Sequence, residues 1–307
     1  MPDTLVKCLN LTKKFDQIVA INDLSFEVFS GNIFGLLGPN GAGKTTTIRM
    51  LCGMIKPTSG TYSVCGLKMD EKGNENRRLI GLLTEYPGHF EQLTAEQNLM
   101  FYASMNLLDR DKAKLKITEL LNLFDLQDRK DDLVGSFSKG MKQKLAIARC
   151  LLHDPKVLFL DEPTAGLDPE SSKEIRDKIE EMRDEGRAII LCTHNLDEAE
   201  RLCDEVALIK TQLIALDSPA NLKRKAFKNT IEIMFAGKAA EYLDLLKNIG
   251  FTDSQLASEN SISIAISDTL IDNPVIIKEL VGAGAEVVFV KENLHSLEDV
   301  YLNLMEK

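Results

Sequence analysis

Short apolar runs alternate with longer stretches of helical period along most of the chain. Ile33 to Leu37, Val157 to Leu160, Ala188 to Cys192 and Val206 to Ile209 have the length of buried strands, while segments such as Pro169 to Glu185 return apolar positions at helical spacing. This alternation predicts an α/β fold built on a largely parallel sheet. The N-terminus moves straight into strand-like alternation. Between Leu93 and Leu133 the pattern becomes continuously helical, rich in leucine and charge, so a helical subdomain over about 93–150 is expected to interrupt the sheet domain. After Leu216, Asp217-Ser218-Pro219 opens a short basic helix or linker through Lys223, Arg224, Lys225 and Lys228. The remaining segment reads as strand (Ile231 to Phe235), helix (Ala239 to Ile249), strand (Ser261 to Ile266), helix (Pro274 to Val281), strand (Glu286 to Val290) and a last helix from Ser296. The expected organisation is a first domain with linker over 1–228 and a small C-terminal α/β domain over 229–307.

Length agrees with two domains, because 307 residues exceed the size at which one core usually keeps growing. A formal net charge of −10 disfavours general affinity for nucleic acid, and no nucleic-acid partner is expected. The six cysteines form no C-x-x-C pair and several sit inside apolar runs, which suits a reduced, cytosolic chain. No secretory signal is read at the N-terminus. A membrane-spanning helix needs about 18 to 20 apolar residues, and the apolar runs here are far shorter, so the chain is not expected to form a pore by itself.

Gly38-Pro39-Asn40-Gly41-Ala42-Gly43-Lys44-Thr45 fits G-x-x-x-x-G-K-[ST], with an apolar strand before it and a helical stretch from Thr46 to Met54 after it. Glycines are needed because backbone N–H groups must converge on phosphate oxygens in conformations that a Cβ obstructs. The following helix adds its positive N-terminal end. Lys44 supplies a cation for β and γ phosphates, and the Thr45 hydroxyl is placed for magnesium. Val157 to Leu160 leads into Asp161-Glu162-Pro163, two adjacent carboxylates at the carboxyl end of a buried strand, where parallel sheets bind ligands. Adjacent strand residues point opposite ways, so Asp161 can face the metal and Glu162 the attacking water.

With Phe137-Ser138-Lys139-Gly140-Met141-Lys142-Gln143 about twenty residues before Asp161, the chain resembles the ABC ATPases, in a form similar to their drug, antibiotic and sodium export branch. Ala165-Gly166-Leu167-Asp168 is similar to the family's D-loop, His194 to its switch histidine, and Phe15 to the aromatic that stacks on adenine. The resemblance implies a P-loop NTPase fold, with ATP and Mg2+ bound by residues 38–46. Thr45, Asp161 and Glu85 would lie at the metal, Glu162, His194 and Lys44 would be catalytic, and Ser138, Gly140 and Asp168 would complete a site shared between two chains. It further implies ATP-driven pairing, as a homodimer or with a similar ATPase, and a separate integral-membrane permease. The chain would then be cytoplasmic and peripheral on the inner face of the membrane, powering transport and most simply export. Two positions depart from the common pattern: Glu85 stands where the family usually has glutamine, and Lys139 where it has glycine. A soluble ABC ATPase with a non-transport role and a nucleotide-binding regulator remain open at this point.

Overall fold

The computed structural model describes residues 2–68, 76–183, 186–293 and 295–305. The chain divides into two compact units, Met1–Pro219 and Ala220–Lys307. The division falls ahead of the Lys228 boundary read from sequence, so the basic helix carrying Lys223, Arg224 and Lys225 belongs with the second unit.

Two sheets build the first unit. An antiparallel sheet in the order β2-β1-β4 combines β1 (Thr4–Phe15), β2 (Ile18–Phe29) and β4 (Ser59–Val64). The central sheet has the order β5-β6-β7-β3-β8-β9, from β5 (Ile80–Leu83), β6 (Val157–Asp161), β7 (Ala188–Thr193), β3 (Ile33–Leu37), β8 (Glu205–Lys210) and β9 (Gln212–Asp217). All its pairings are parallel except that of β9 with β8. Every residue of β3, β6 and β7 is buried. Strands covered on both faces read as unbroken apolar runs rather than alternating ones, which is why these were visible in the sequence.

The helices of this unit are α1 (Lys44–Leu51), α2 (Ala95–Met105), α3 (Arg110–Leu123), α4 (Lys139–Leu151), α5 (Pro169–Arg183) and α6 (Leu196–Leu202). The expected extension of α5 through Glu185 falls outside the described residues. Side chains set several of the starts. Thr94 and Gln97 form a reciprocal capping box on α2, Asp109 accepts the first amides of α3, and Ser138 accepts the Met141 amide on α4.

The second unit holds all but the first residue of α7 (Pro219–Ala226) and a four-stranded antiparallel sheet, β11-β12-β10-β13, made of β10 (Thr230–Phe235), β11 (Gln255–Ser258), β12 (Ser261–Ala265) and β13 (Val287–Asn293). Helices α8 (Leu243–Asn248), α9 (Thr269–Gly282) and α10 (Leu297–Met305) complete it. Its core gathers Ile231, Ile233 and Phe235 with Ile262, Ile264, Ile276 and Leu280. Among the described residues, no helix is long and apolar enough to cross a membrane.

Candidate functional site

The carboxyl ends of three adjacent strands, β6, β7 and β3, carry the residues singled out from the sequence. β3 runs into the loop Gly38–Gly43, β6 ends on Asp161 with Glu162 directly after it, and β7 ends on Thr193 with His194 directly after it. Parallel strands place these ends on one edge of the sheet, so residues far apart in sequence converge.

The loop demands glycine at two places. At Gly43 the backbone has φ 101°, and a Cβ would lie 2.2 Å from Ile21 Cδ1 and 2.5 Å from the Ala20 carbonyl oxygen. At Gly38 a Cβ would stand 2.2 Å from the Ile209 carbonyl oxygen. The loop is thus pressed between β2 and β8, and it opens a cavity of about 350 Å3. Asn40 through Thr46 line that cavity, together with Ala20, Glu85, Glu162, Ala165 and His194.

Lys44 is buried and donates from Nζ to the carbonyl oxygens of Gly38 (2.7 Å) and Pro39 (3.2 Å). The ammonium is therefore held by neutral acceptors that a more strongly accepting phosphate oxygen could replace. The Thr45 hydroxyl donates to Asp161 Oδ2 at 3.0 Å. Burial pushes the Asp161 carboxyl up from its usual range; the Thr45 hydrogen bond and the Lys44 charge oppose this, and the charges of Glu162 and Glu85 add to it. An oxygen-rich corner of this kind, with surplus negative charge and a hydroxyl beside it, fits a small hard cation such as Mg2+, which takes few protein ligands.

Glu162 adopts φ 52°, unusual for a residue with a side chain, and its amide donates to the Cys192 carbonyl at 2.8 Å. Its carboxylate accepts the His194 amide (3.1 Å), His194 Nδ1 (2.7 Å) and the Thr193 hydroxyl (3.4 Å). Strain at such a position marks a site over-determined by its surroundings.

Other expected residues lie outside this cavity. Phe15 ends β1, is 45% exposed, and has Lys13 Nζ 4.7 Å above its ring; Ala20 is the residue of this sheet that reaches the cavity. Ser138 and Gly140 stand at the start of α4. Asp168 caps α5 through the Ser171 amide and hydroxyl, and these bonds hold its carboxyl below the usual range.

Sequence reading missed Thr164 and Glu198. Glu198 on α6 is 1% exposed and accepts the Thr164 hydroxyl at 2.7 Å, joining the loop after Glu162 to the helix after His194. Burial pushes its carboxyl up from the usual range. No local signal distinguishes it from an ordinary acidic residue in a helix's first turn.

A family model described as "ABC transporter" matches residues 21–165. The chain is 36% identical to an uncharacterised ABC transporter ATP-binding protein of Bacillus subtilis, over 98% of this chain and 96% of that protein. It is 35% identical to a bacitracin transport ATP-binding protein of Bacillus licheniformis, over 98% and 97% respectively. The chain belongs to the ABC transporter ATP-binding proteins. As such it is an ATPase, the ATP-binding subunit of a transporter. A fluoroquinolones export ATP-binding protein of Mycobacterium tuberculosis is 40% identical to this ATPase over 76% of the chain and 77% of that protein. Among solved structures, an ATP-binding subunit of an ABC transporter superposes with a TM-score of 0.66 at 31% identity, covering 72% of this ATPase and 93% of that chain.

Proposed function

We propose that residues 38–46 bind the triphosphate of ATP, with Lys44 leaving the Gly38 and Pro39 carbonyls for the β and γ phosphates. The convergence of Lys44, the Thr45–Asp161 pair and the Glu162–His194 pair on one edge of the sheet carries this reading. Thr45 and Asp161, with Glu85 nearby, would hold Mg2+, which when bound neutralises phosphate charge. Glu162 accepts the proton of the attacking water. His194 now occupies one oxygen of that carboxylate, so turning His194 toward a γ phosphate both contacts the phosphate and frees the base.

The cavity lacks Ser138, Gly140 and Asp168 of its own chain, which supports a site completed by a second cassette, either an identical chain or a similar ATPase. Ser138 and the first amides of α4 form a helix N-terminus suited to a γ phosphate across such a seam. ATP then joins the two chains and hydrolysis releases them, working a separate integral-membrane permease. The chain would sit on the cytoplasmic side, peripheral to that permease. Export is the direction we assign, on the strength of relatives named for bacitracin transport and fluoroquinolones export. Phe15 is assigned to adenine stacking, its exposed ring being available to a base. Hydrolysis by the purified chain tests the core of this reading. Turnover should require Mg2+ and stop with a chelator, and chelator-resistant hydrolysis would contradict it.

A further inference from the structure

Lys139, which opens α4 directly after Ser138, reaches back across the first unit and donates from Nζ to the Gly166 carbonyl at 3.1 Å. Gly166 sits at φ +64° in the loop that follows Glu162. One turn further along α4, on the same face, Gln143 Nε2 donates to the Pro163 carbonyl at 2.8 Å. Between these two contacts Gly140 lies against Ser171, so closely that a Cβ would stand 2.6 Å from Ser171 Oγ; Asp168 Oδ2 holds that hydroxyl at 2.7 Å. Lys144 pairs with Glu174 on α5 at 2.9 Å. The start of α4 is thus fastened to both ends of the loop 163–166 and to the helix that follows it.

We propose that Lys139 is a positioning residue, which ties the start of α4 to the loop that follows the catalytic carboxylate so that the two move as one body. This rests on the two-cassette reading above. In that reading Ser138 and Gly140 serve the site across the seam, while Glu162 serves the chain's own site. A tie between them makes the geometry of one site depend on the state of the other, and coupling of this kind needs a continuous physical link between two sites. The Lys139 contact is exposed, and exposed hydrogen bonds and charges add little to stability. Its effect is therefore on placement. Glycine at this position could not make the contact, and neither could a side chain without a donor.

Lys139→Met and Lys139→Arg in the full chain test the proposal. Methionine suits a helix about as well as lysine, so the melting temperature should move by no more than about 2 °C. Lys139→Met should lower kcat about tenfold, the scale of a small misplacement, and leave KM for ATP within about twofold. The Hill coefficient for ATP should fall from above 1 in wild type toward 1. Lys139→Arg, which keeps a donor of similar reach, should recover most of both. An unchanged kcat in Lys139→Met, or equal Hill coefficients in wild type and Lys139→Met, overturns the tie. ATP-dependent dimerisation of the hydrolysis-blocked Glu162→Gln chain, measured beside it, separates the two readings. A chain that does not pair removes the two-cassette reading and the tie with it. Pairing alongside an unaffected Lys139→Met removes the tie alone.

Discussion

His194 Nδ1 lies 2.7 Å from Glu162 Oε1, and the same oxygen accepts the His194 backbone amide at 3.1 Å. A carboxylate only accepts, so the imidazole carries its proton on Nδ1 in this arrangement. Glu162 is therefore oriented from β7, the strand next to its own, and from two groups of a single residue. Glu162→Gln keeps the shape but removes the base. Turnover should fall about a hundredfold or more while nucleotide binding is retained. Steady-state hydrolysis paired with fluorescent-nucleotide titration checks this, and unchanged hydrolysis would remove Glu162 from the role.

Lys44→Ala deletes the one cation buried in the loop. Its two partners are backbone carbonyls, of the buried Gly38 and the half-buried Pro39, and leaving them without this donor costs about 1–3 kcal/mol, which the fold should survive. Affinity for ATP should drop by at least about tenfold, the loss expected when a charge-assisted contact worth roughly 1.5–3 kcal/mol disappears. Calorimetric titration reads the affinity and circular dichroism the fold. Retained turnover would count against the loop assignment.

Gly43→Ala forces a Cβ against the Ala20 carbonyl and Ile21 at a backbone angle that side chains rarely adopt. Such strain costs about 1–3 kcal/mol, and relieving it would push the loop away from β2. We expect a lower denaturation midpoint together with weakened nucleotide binding. Gly41→Ala meets no atom within 4 Å but has φ +83°, so it should show a smaller stability loss than Gly43→Ala.

The apolar strands β3, β6 and β7, the phosphate loop and the acidic pair were legible because each is compressed into a few contiguous residues. Contacts between distant segments were not. Nothing local announces that Glu198 holds Thr164, or that Lys139 reaches Gly166. β11 was missed because all four of its residues are exposed and show no apolar alternation. In α9 the sequence suggested a start at Pro274, since proline favours a first turn. The helix begins five residues earlier at Thr269, where Asp268 accepts the Leu270 amide and Asp272 accepts the amides of Ser267 and Asp268. Capping there outweighs the hydrogen bond that Pro274 cannot donate.

Stability should rise with pH between about 4 and 6.5 through His89. Burial first, then the charge of Arg149, pushes this imidazole down to about 4, although its Nε2 contacts the Lys142 carbonyl at 2.9 Å. In the window between the folded value and the ordinary one, the unfolded chain binds the extra proton, so stability is full above about 6.5 and is lost as the pH falls toward 4. Burial lowers His153 as well, with the same sign. Urea midpoints measured at pH 7.5 and 5 should differ in this direction, and His89→Gln should flatten the difference. An identical slope in the variant would remove His89 as its source.

In the proposed mechanism, bound ATP draws two chains together at a shared site. Sedimentation of the Glu162→Gln chain with and without saturating ATP and Mg2+ tests it most directly. The chain should be a monomer without nucleotide and a dimer with it, the dimer being lost when Lys44→Ala is added. A chain that stays monomeric at saturating ATP, alone and in its membrane complex, would contradict it.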